Sequence, residues 1–280
     1  MKTPAKKILI AGCGDIGTRL GLQLAAQGWK VYALRRNTSA LPPPLIAIRA
    51  DLGDPASLRA LPGDVDFVLY TATAARFDEA HYRAVYVDGV RNVLAASPSP
   101  NFFFVSSSAV YGQDDGAWVN EESATAPRHF NGRVMLEGEH VARAAGGVCV
   151  RFSGIYGPRR TRLVDAVRRG QLAPASPVVF SNRIHVEDCA GVLAHLFARR
   201  AAGDEVRGVY LASDDAPAPL AEVQRWLAGR LRVPAGQGTG AAPVRRAGSK
   251  RCDNALIKKH GYRFLFPDYK AGYRAMLGAD

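Results

Sequence analysis

Residues Ile8–Gly28, ILIAGCGDIGTRLGLQLAAQG, decide how this chain is read. The run opens with a strand's length of apolar residues. Gly12, Gly14 and Gly17 follow in the spacing G-x-G-x-x-G. From Asp15 to Gln27, Ile16, Leu20 and Leu24 recur every four positions, which is helical spacing. Gly28 stands where a helix end favours a left-handed residue. A strand, a glycine turn and a helix in this order suit a nucleotide diphosphate. The first glycine permits the tight turn, the second lets the diphosphate approach the backbone, and the third lets the helix pack on the strand. The helix start adds free N–H groups and partial positive charge. Gly12, Gly14, Asp15, Ile16 and Gly17 are therefore expected at a cofactor, a plain strand-to-helix turn being the alternative.

Working outward, KVYAL, LIAIRADL, VDFVLYTATA, NFFFVSSS and GVCVRFSGIYG read as further strands. Helices are expected from Asp54-Pro55, where Asp caps and Pro fits the first turn, and from Asp78 to Ala96. Strands alternating with helices mean βαβ units, hence an α/β, doubly wound parallel sheet of the Rossmann type. After Tyr156 the pattern loosens into the Pro-rich stretches GPRRTRL, LAPASPVVF and DDAPAPL, and GQGTG at 236–240 reads as a flexible loop. The expected division is a dinucleotide-binding core over 1–156, which also receives 178–200 and its neighbours. A smaller C-terminal substrate lobe would be built from 157–177 and 205–280.

The second strand ends in YALRRNTS. NAD binders place Asp or Glu there to bond the ribose 2′-OH. This chain offers Arg35 and Arg36, cations able to grip a 2′-phosphate, so NADP is expected over NAD; the alternative is that the arginines face solvent. Asp51 and Leu52 fall beside the adenine, or Asp51 is an ordinary loop carboxylate. Thr71 and Ala72, late in VDFVLYTATA, complete the expected cofactor set.

The chain has 280 residues, 48% of them hydrophobic and 22% charged, which excludes disorder and allows one or two domains. Its N-terminus lacks the features of a signal peptide, and no apolar run reaches the roughly 18 residues of a membrane span. A cytoplasmic location is expected. Cys13, Cys149, Cys189 and Cys252 are far apart and show no ligand spacing, so buried reduced thiols are expected, with neither a disulfide framework nor a metal. The formal charge of +12 is concentrated in GPRRTRLVDAVRRGQ and VRRAGSKRCDNALIKKHGYR. It is either a solvated basic surface or an attraction for an anionic small molecule. Nucleic-acid binding would need a recognisable module or interleaved aromatics, and neither is present.

The stretches AGCGDIG, ADLGD, YRAVYVDGVRNVL, FFFVSSSAVYG, VRFSGIYGPRR and NRIHVEDCAGVL together resemble the extended short-chain dehydrogenase/reductase family, also called the NAD-dependent epimerase/dehydratase family. They occur in the family's order and reach about Phe197; the later segments resemble its substrate lobe more loosely. The glycine spacing is that of the members called atypical, which often lack the catalytic residues. The resemblance implies an oxidoreductase or epimerase with a small, anionic or nucleotide-linked substrate, and allows a homodimer. A non-catalytic NADP-binding sensor is the alternative.

The resemblance also assigns site residues. Ser107, four residues before Tyr111, would orient the substrate, with Ser108 beside it; bonding the following turn is the alternative. The family's Tyr-x-x-x-Lys is absent. If Glu137 stands for its helix Glu, His129 and Arg133 take those positions, as an imidazole beside a cation or as plain surface residues. Tyr86 replaces the family's Asn on the preceding helix and offers a phenol, or packs beneath the sheet. Tyr111, Arg151, Tyr156, Arg159, Arg160 and Arg183 are expected toward the substrate, and Asp188 as a helix cap.

Overall fold

A computed structural model describes residues 5–233 and 248–278. The expected loop at 236–240 lies outside the described residues. The first half contains β1 (Lys7–Ala11), α1 (Asp15–Ala26), β2 (Lys30–Arg35), β3 (Ile46–Arg49), β4 (Phe67–Tyr70), α2 (Glu79–Arg83), α3 (Gly89–Ala96) and β5 (Phe102–Ser107). There follow β6 (Trp118–Val119), α4 (Phe130–Ala144), β7 (Val148–Phe152), β8 (Gly154–Tyr156), α5 (Arg162–Arg168), β9 (Phe180–Ser181), β10 (Arg183–His185) and α6 (Val186–Ala201). The chain closes with β11 (Val209–Ala212), β12 (Ala218–Pro219), α7 (Leu220–Arg230), β13 (Arg251–Cys252), α8 (Ala255–Lys259) and α9 (Tyr269–Leu277).

Seven strands form one parallel sheet in the order β11-β7-β5-β4-β1-β2-β3. The chain winds outward from β1 through β2 to β3, then crosses back to β4 and winds the other way. The switch therefore falls between β1 and β4, where open α/β sheets bind ligands beyond the strands' carboxyl ends. The strands are apolar on both sides because helices cover both faces. Phe103 faces a core with Ile10, Leu20, Leu24 and Phe197. Its neighbours Phe102 and Phe104 face the opposite core with Val87, Val90 and Val134.

The structure corrects several expected elements. Asp54 caps only a 3-10 turn, Pro55–Leu58. The helix expected over 78–96 begins at Glu79, with Asp78 as its cap, and widens into a π segment at Ala84–Asp88. The cause is Tyr70, whose hydroxyl enters the helix and donates to the Val85 carbonyl, which an α-helical ladder would have used. Gly89 makes the room, since a Cβ there would lie 2.4 Å from that hydroxyl. GVCVRFSGIYG is not one strand but two: after Phe152 the chain leaves the sheet, and β8 pairs with β10. Asp188 is not a cap. It lies inside α6, fully buried, and accepts from the Tyr262 hydroxyl (2.8 Å) and the amides of Leu265 (2.7 Å) and Phe266 (3.0 Å). His185 caps α6 instead.

Residues 205–280 do not all lie in a lobe, because Val209–Ala212 is the edge strand of the large sheet. Tyr156 of β8 forms a separate third core with Val164, Val167, Val223, Leu227, Tyr269 and Tyr273 of α5, α7 and α9.

Candidate cofactor and substrate site

A cavity of about 510 Å³ opens at the switch point. Gly12, Gly14, Asp15, Ile16, Arg35, Arg36, Asp51, Leu52, Thr71 and Ala72 line it, ten of the eleven residues expected at a cofactor. Each glycine has its own steric reason. Gly12 has φ +78°, and a Cβ there would lie 2.5 Å from Ala72 Cα. At Gly14 a Cβ would meet nothing closer than the Gly12 carbonyl oxygen at 3.9 Å, so the space beside it is open. Gly17, absent from the lining, sits beneath: its Cβ would lie 2.8 Å from Ile10 Cγ2, which is helix-on-strand contact. This cradle fits a dinucleotide diphosphate.

Arg35 ends β2 half-buried and Arg36 is exposed; neither has a carboxylate partner among the described residues. Asp51 lines the cavity while its Oδ1 accepts from the Gly53 amide at 3.0 Å. Cys13, Asn37, Thr73, His81 and Arg160 also line it. The sequence reading missed the first four, which carry no spacing signal of their own, and had placed Arg160 with the substrate.

None of the four residues expected in catalysis lines the cavity, and no hydrogen bond joins any two of them among the described residues. Ser107 Oγ accepts from the Ala109 amide at 3.2 Å and so holds the turn after β5. Tyr86 is 6% exposed; its hydroxyl accepts from the Ala74 amide at 3.2 Å, and burial raises its pKa above the usual 10. His129 is exposed at the start of α4, and Arg133 donates to the Arg128 carbonyl at 3.2 Å.

Glu137 is half-buried and pairs with Arg83, whereas Glu139 is fully buried. Arg151 grips Glu139 with two bonds of 2.8 and 2.6 Å, Ser106 donates to it at 2.5 Å, and Arg151 reaches the Tyr111 hydroxyl at 2.9 Å. Tyr111 in turn donates to the Asn120 carbonyl at 2.8 Å. Tyr111 and Arg151 thus stand beneath the turn, 3% exposed, rather than in the cleft. On α4 the side-chain oxygen of Asn131 is buried and finds no hydrogen-bond partner among the described residues. A signal for Glu139 was legible: with Met135 and Ala142 it shares the buried face of α4, where a carboxylate requires a partner.

On the substrate side, Ser108 is 7% exposed against the Cys252 thiol. Arg159 is exposed. Tyr156 and Arg183 are each 4% exposed, and Arg183 lies 5.5 Å from the Tyr269 ring centre and donates to Ser181 Oγ at 2.7 Å. Beside them Asp214, after the end of β11, is 1% exposed. Among the described residues, the Tyr156 hydroxyl, Arg183 Nη1 and Asp214 Oδ2 are buried and find no hydrogen-bond partner. Burial pushes the Asp214 carboxyl up to about 8, against the pull of Arg183 and with a smaller push from Asp215 and Asp268.

The native state therefore keeps a proton that the unfolded chain releases near 4. Stability contributed by this proton is present below the unfolded pKa and is lost as pH rises toward 8. Relative to Asp214→Asn, the native protein should lose about 3 kcal/mol of unfolding free energy between pH 5 and pH 8. Urea denaturation at both pH values measures it, and a pH-independent difference would show that Asp214 is ionised throughout.

A profile of the family named NAD dependent epimerase/dehydratase matches residues 8–211. Protein YeeZ of Escherichia coli (strain K12) is 31% identical over 206 residues, 68% of this chain and 73% of that protein. The dTDP-6-deoxy-L-talose 4-dehydrogenase (NAD(P)(+)) of Kitasatospora kifunensis is 31% identical over 204 residues, 69% of this chain and 62% of its own length. Among solved structures, a Methylobacillus flagellatus protein assigned to the NAD-dependent epimerases/dehydratases is 37% identical, with a TM-score of 0.83 and 98% of each chain covered.

Proposed function

The chain belongs to the NAD dependent epimerase/dehydratase family, and from that premise we propose that it is an NADP-dependent oxidoreductase or epimerase acting on a small anionic or nucleotide-linked substrate. The observation that carries the cofactor choice is the pair Arg35 and Arg36 on the cavity wall, with no carboxylate at the end of β2. A nicotinamide cofactor supplies hydride exchange when bound. This chain's residues would hold it: the glycine turn against the diphosphate, the two arginines against the 2′-phosphate. Each charge-assisted bond to a phosphate contributes roughly 1.5–3 kcal/mol. NADPH should therefore bind more than tenfold tighter than NADH, and Arg35→Ala/Arg36→Ala should erase the preference. Calorimetric titration of both cofactors tests this; equal affinities for the native protein would refute it.

The substrate reading is supported by Tyr156, Arg183 and Asp214, which gather polar atoms without a hydrogen-bond partner among the described residues beyond the carboxyl ends of the strands. Ser107, at the end of β5, would orient the substrate, and His129 or Tyr86 would move the proton. The reading carries with it a cytoplasmic location and a homodimer as the assembly to test. A second reading, a non-catalytic NADP-binding regulator, is favoured by the missing Tyr-x-x-x-Lys and by the burial of Tyr86. Following NADPH absorbance over carbonyl and nucleotide-sugar substrates, beside Ser107→Ala, Tyr86→Phe and His129→Ala, separates the two. Tight NADPH binding with no turnover on any of them favours the regulator.

A further inference from the structure

We infer that Arg160, carried on the loop that enters the small lobe, is a diphosphate-binding residue of the cofactor cavity rather than a substrate contact. The inference rests on the nicotinamide-dinucleotide reading above and adds to it a second cationic wall. Arg35 and Arg36 reach the cavity from the end of β2, whereas Arg160 comes from the loop after β8, on the side where α6 begins. It lines the same cavity as Gly12, Gly14 and Asp15.

Its guanidinium is already aimed at the glycine turn. Arg160 Nε lies 3.2 Å from Oδ2 of Asp15, the first residue of α1, and the guanidinium makes no other hydrogen bond among the described residues. Both terminal nitrogens are thus left for a ligand. Asp15 does not need Arg160 to stay in place, because Arg19 holds its other oxygen at 3.0 Å and is itself paired with Glu187. Arg19 and Arg160 together balance Asp15 and Glu187, so the pull on an anion comes from the terminal nitrogens of Arg160 and from the backbone N–H groups at the start of α1.

The loop is shaped to present this residue and not its neighbour. Gly157 has φ +149°, and a Cβ there would lie 2.5 Å from Val186 Cγ1. Arg159 adopts φ +69°, a left-handed conformation that a side chain rarely takes. The Arg160 amide then closes the turn on the Gly157 carbonyl at 2.9 Å. As a result Arg159 is exposed to solvent while Arg160 turns to the cavity. A planar fork with two free nitrogens matches two phosphoryl oxygens, the chemistry of a dinucleotide's diphosphate bridge.

This assignment separates two cation sets by ligand. Arg160→Ala should weaken NADPH, NADH and ADP-ribose by one common factor of at least ten, and leave adenosine 2′-monophosphate, which lacks a diphosphate, unchanged. Arg35→Ala/Arg36→Ala should do the reverse, weakening NADPH and adenosine 2′-monophosphate while sparing ADP-ribose. Arg160→Lys, which keeps the charge and loses the fork, should fall between. Amide exchange in residues 157–168 should slow on adding ADP-ribose to the native protein and not to Arg160→Ala. Native-like ADP-ribose affinity in Arg160→Ala would overturn the inference. So would equal losses for all four ligands, which would make the residue structural. If the native protein bound no dinucleotide at all, the cofactor reading itself would fall, a result distinct from either.

Discussion

Gly14→Val is expected to abolish dinucleotide binding in a protein that still folds. A Cβ at this position meets no atom closer than 3.9 Å, and φ is −91°, outside the left-handed region. The valine methyls would instead occupy the open space beside the turn, where the diphosphate would lie. The loss should exceed a hundredfold, because the helix N-terminus and the turn both lose their approach to the phosphates. Gly12→Val provides the contrast. There φ is +78° and the Cβ would collide with Ala72, so this variant should lose stability first. Circular dichroism beside calorimetry separates the cases, and a folded Gly14→Val that kept NADPH affinity would show the turn to be structural only.

The second large effect is expected at residues that do not line the cavity. Glu139→Gln should lower stability by about 3–5 kcal/mol, because it leaves the Arg151 guanidinium, 3% exposed, without its counter-charge. For a chain of this size that corresponds to a melting point lower by roughly 10 °C. The network also fixes the turn after β5, through Ser106 and Tyr111, so Ser107 should lose its position as well. The double variant Glu139→Leu/Arg151→Met, which removes both charges, should lose less than the single one. Calorimetric melting of all three proteins tests this, and a mild Glu139→Gln with a worse double variant would contradict it.

The cofactor half of the site was legible because its signals are local. G-x-G-x-x-G, the arginines at the end of the second strand and the residues after the first, third and fourth strands all sit where the chain leaves the sheet. A parallel sheet brings those carboxyl ends together whatever the loops do. The place of Arg160 on the cavity wall was not legible, because it depends on a turn with Gly157 and Arg159 at positive φ. Dipeptide composition does not reveal which of two adjacent arginines such a turn points inward. The partners of the two carboxylates on α4 were not legible for a similar reason. Glu137 and Glu139 are equally charged in the sequence, and only packing shows that Glu139 faces Arg151 while Glu137 faces Arg83.

What the sequence determined by itself is the periodicity: short two-sided apolar strands, amphipathic helices between them, and a glycine turn at the first crossing. These follow from local backbone geometry and from the need to bury apolar surface on both faces of a sheet. What only the tertiary structure decided are the pairings between distant segments. Tyr70 opens a π segment in the helix after it, Asp188 is drawn from an expected cap into a buried contact with Tyr262, and Asp214 is enclosed beside Arg183. Each depends on which polar group a buried atom finds at hand, and that is settled by packing across the fold rather than by neighbours in the chain.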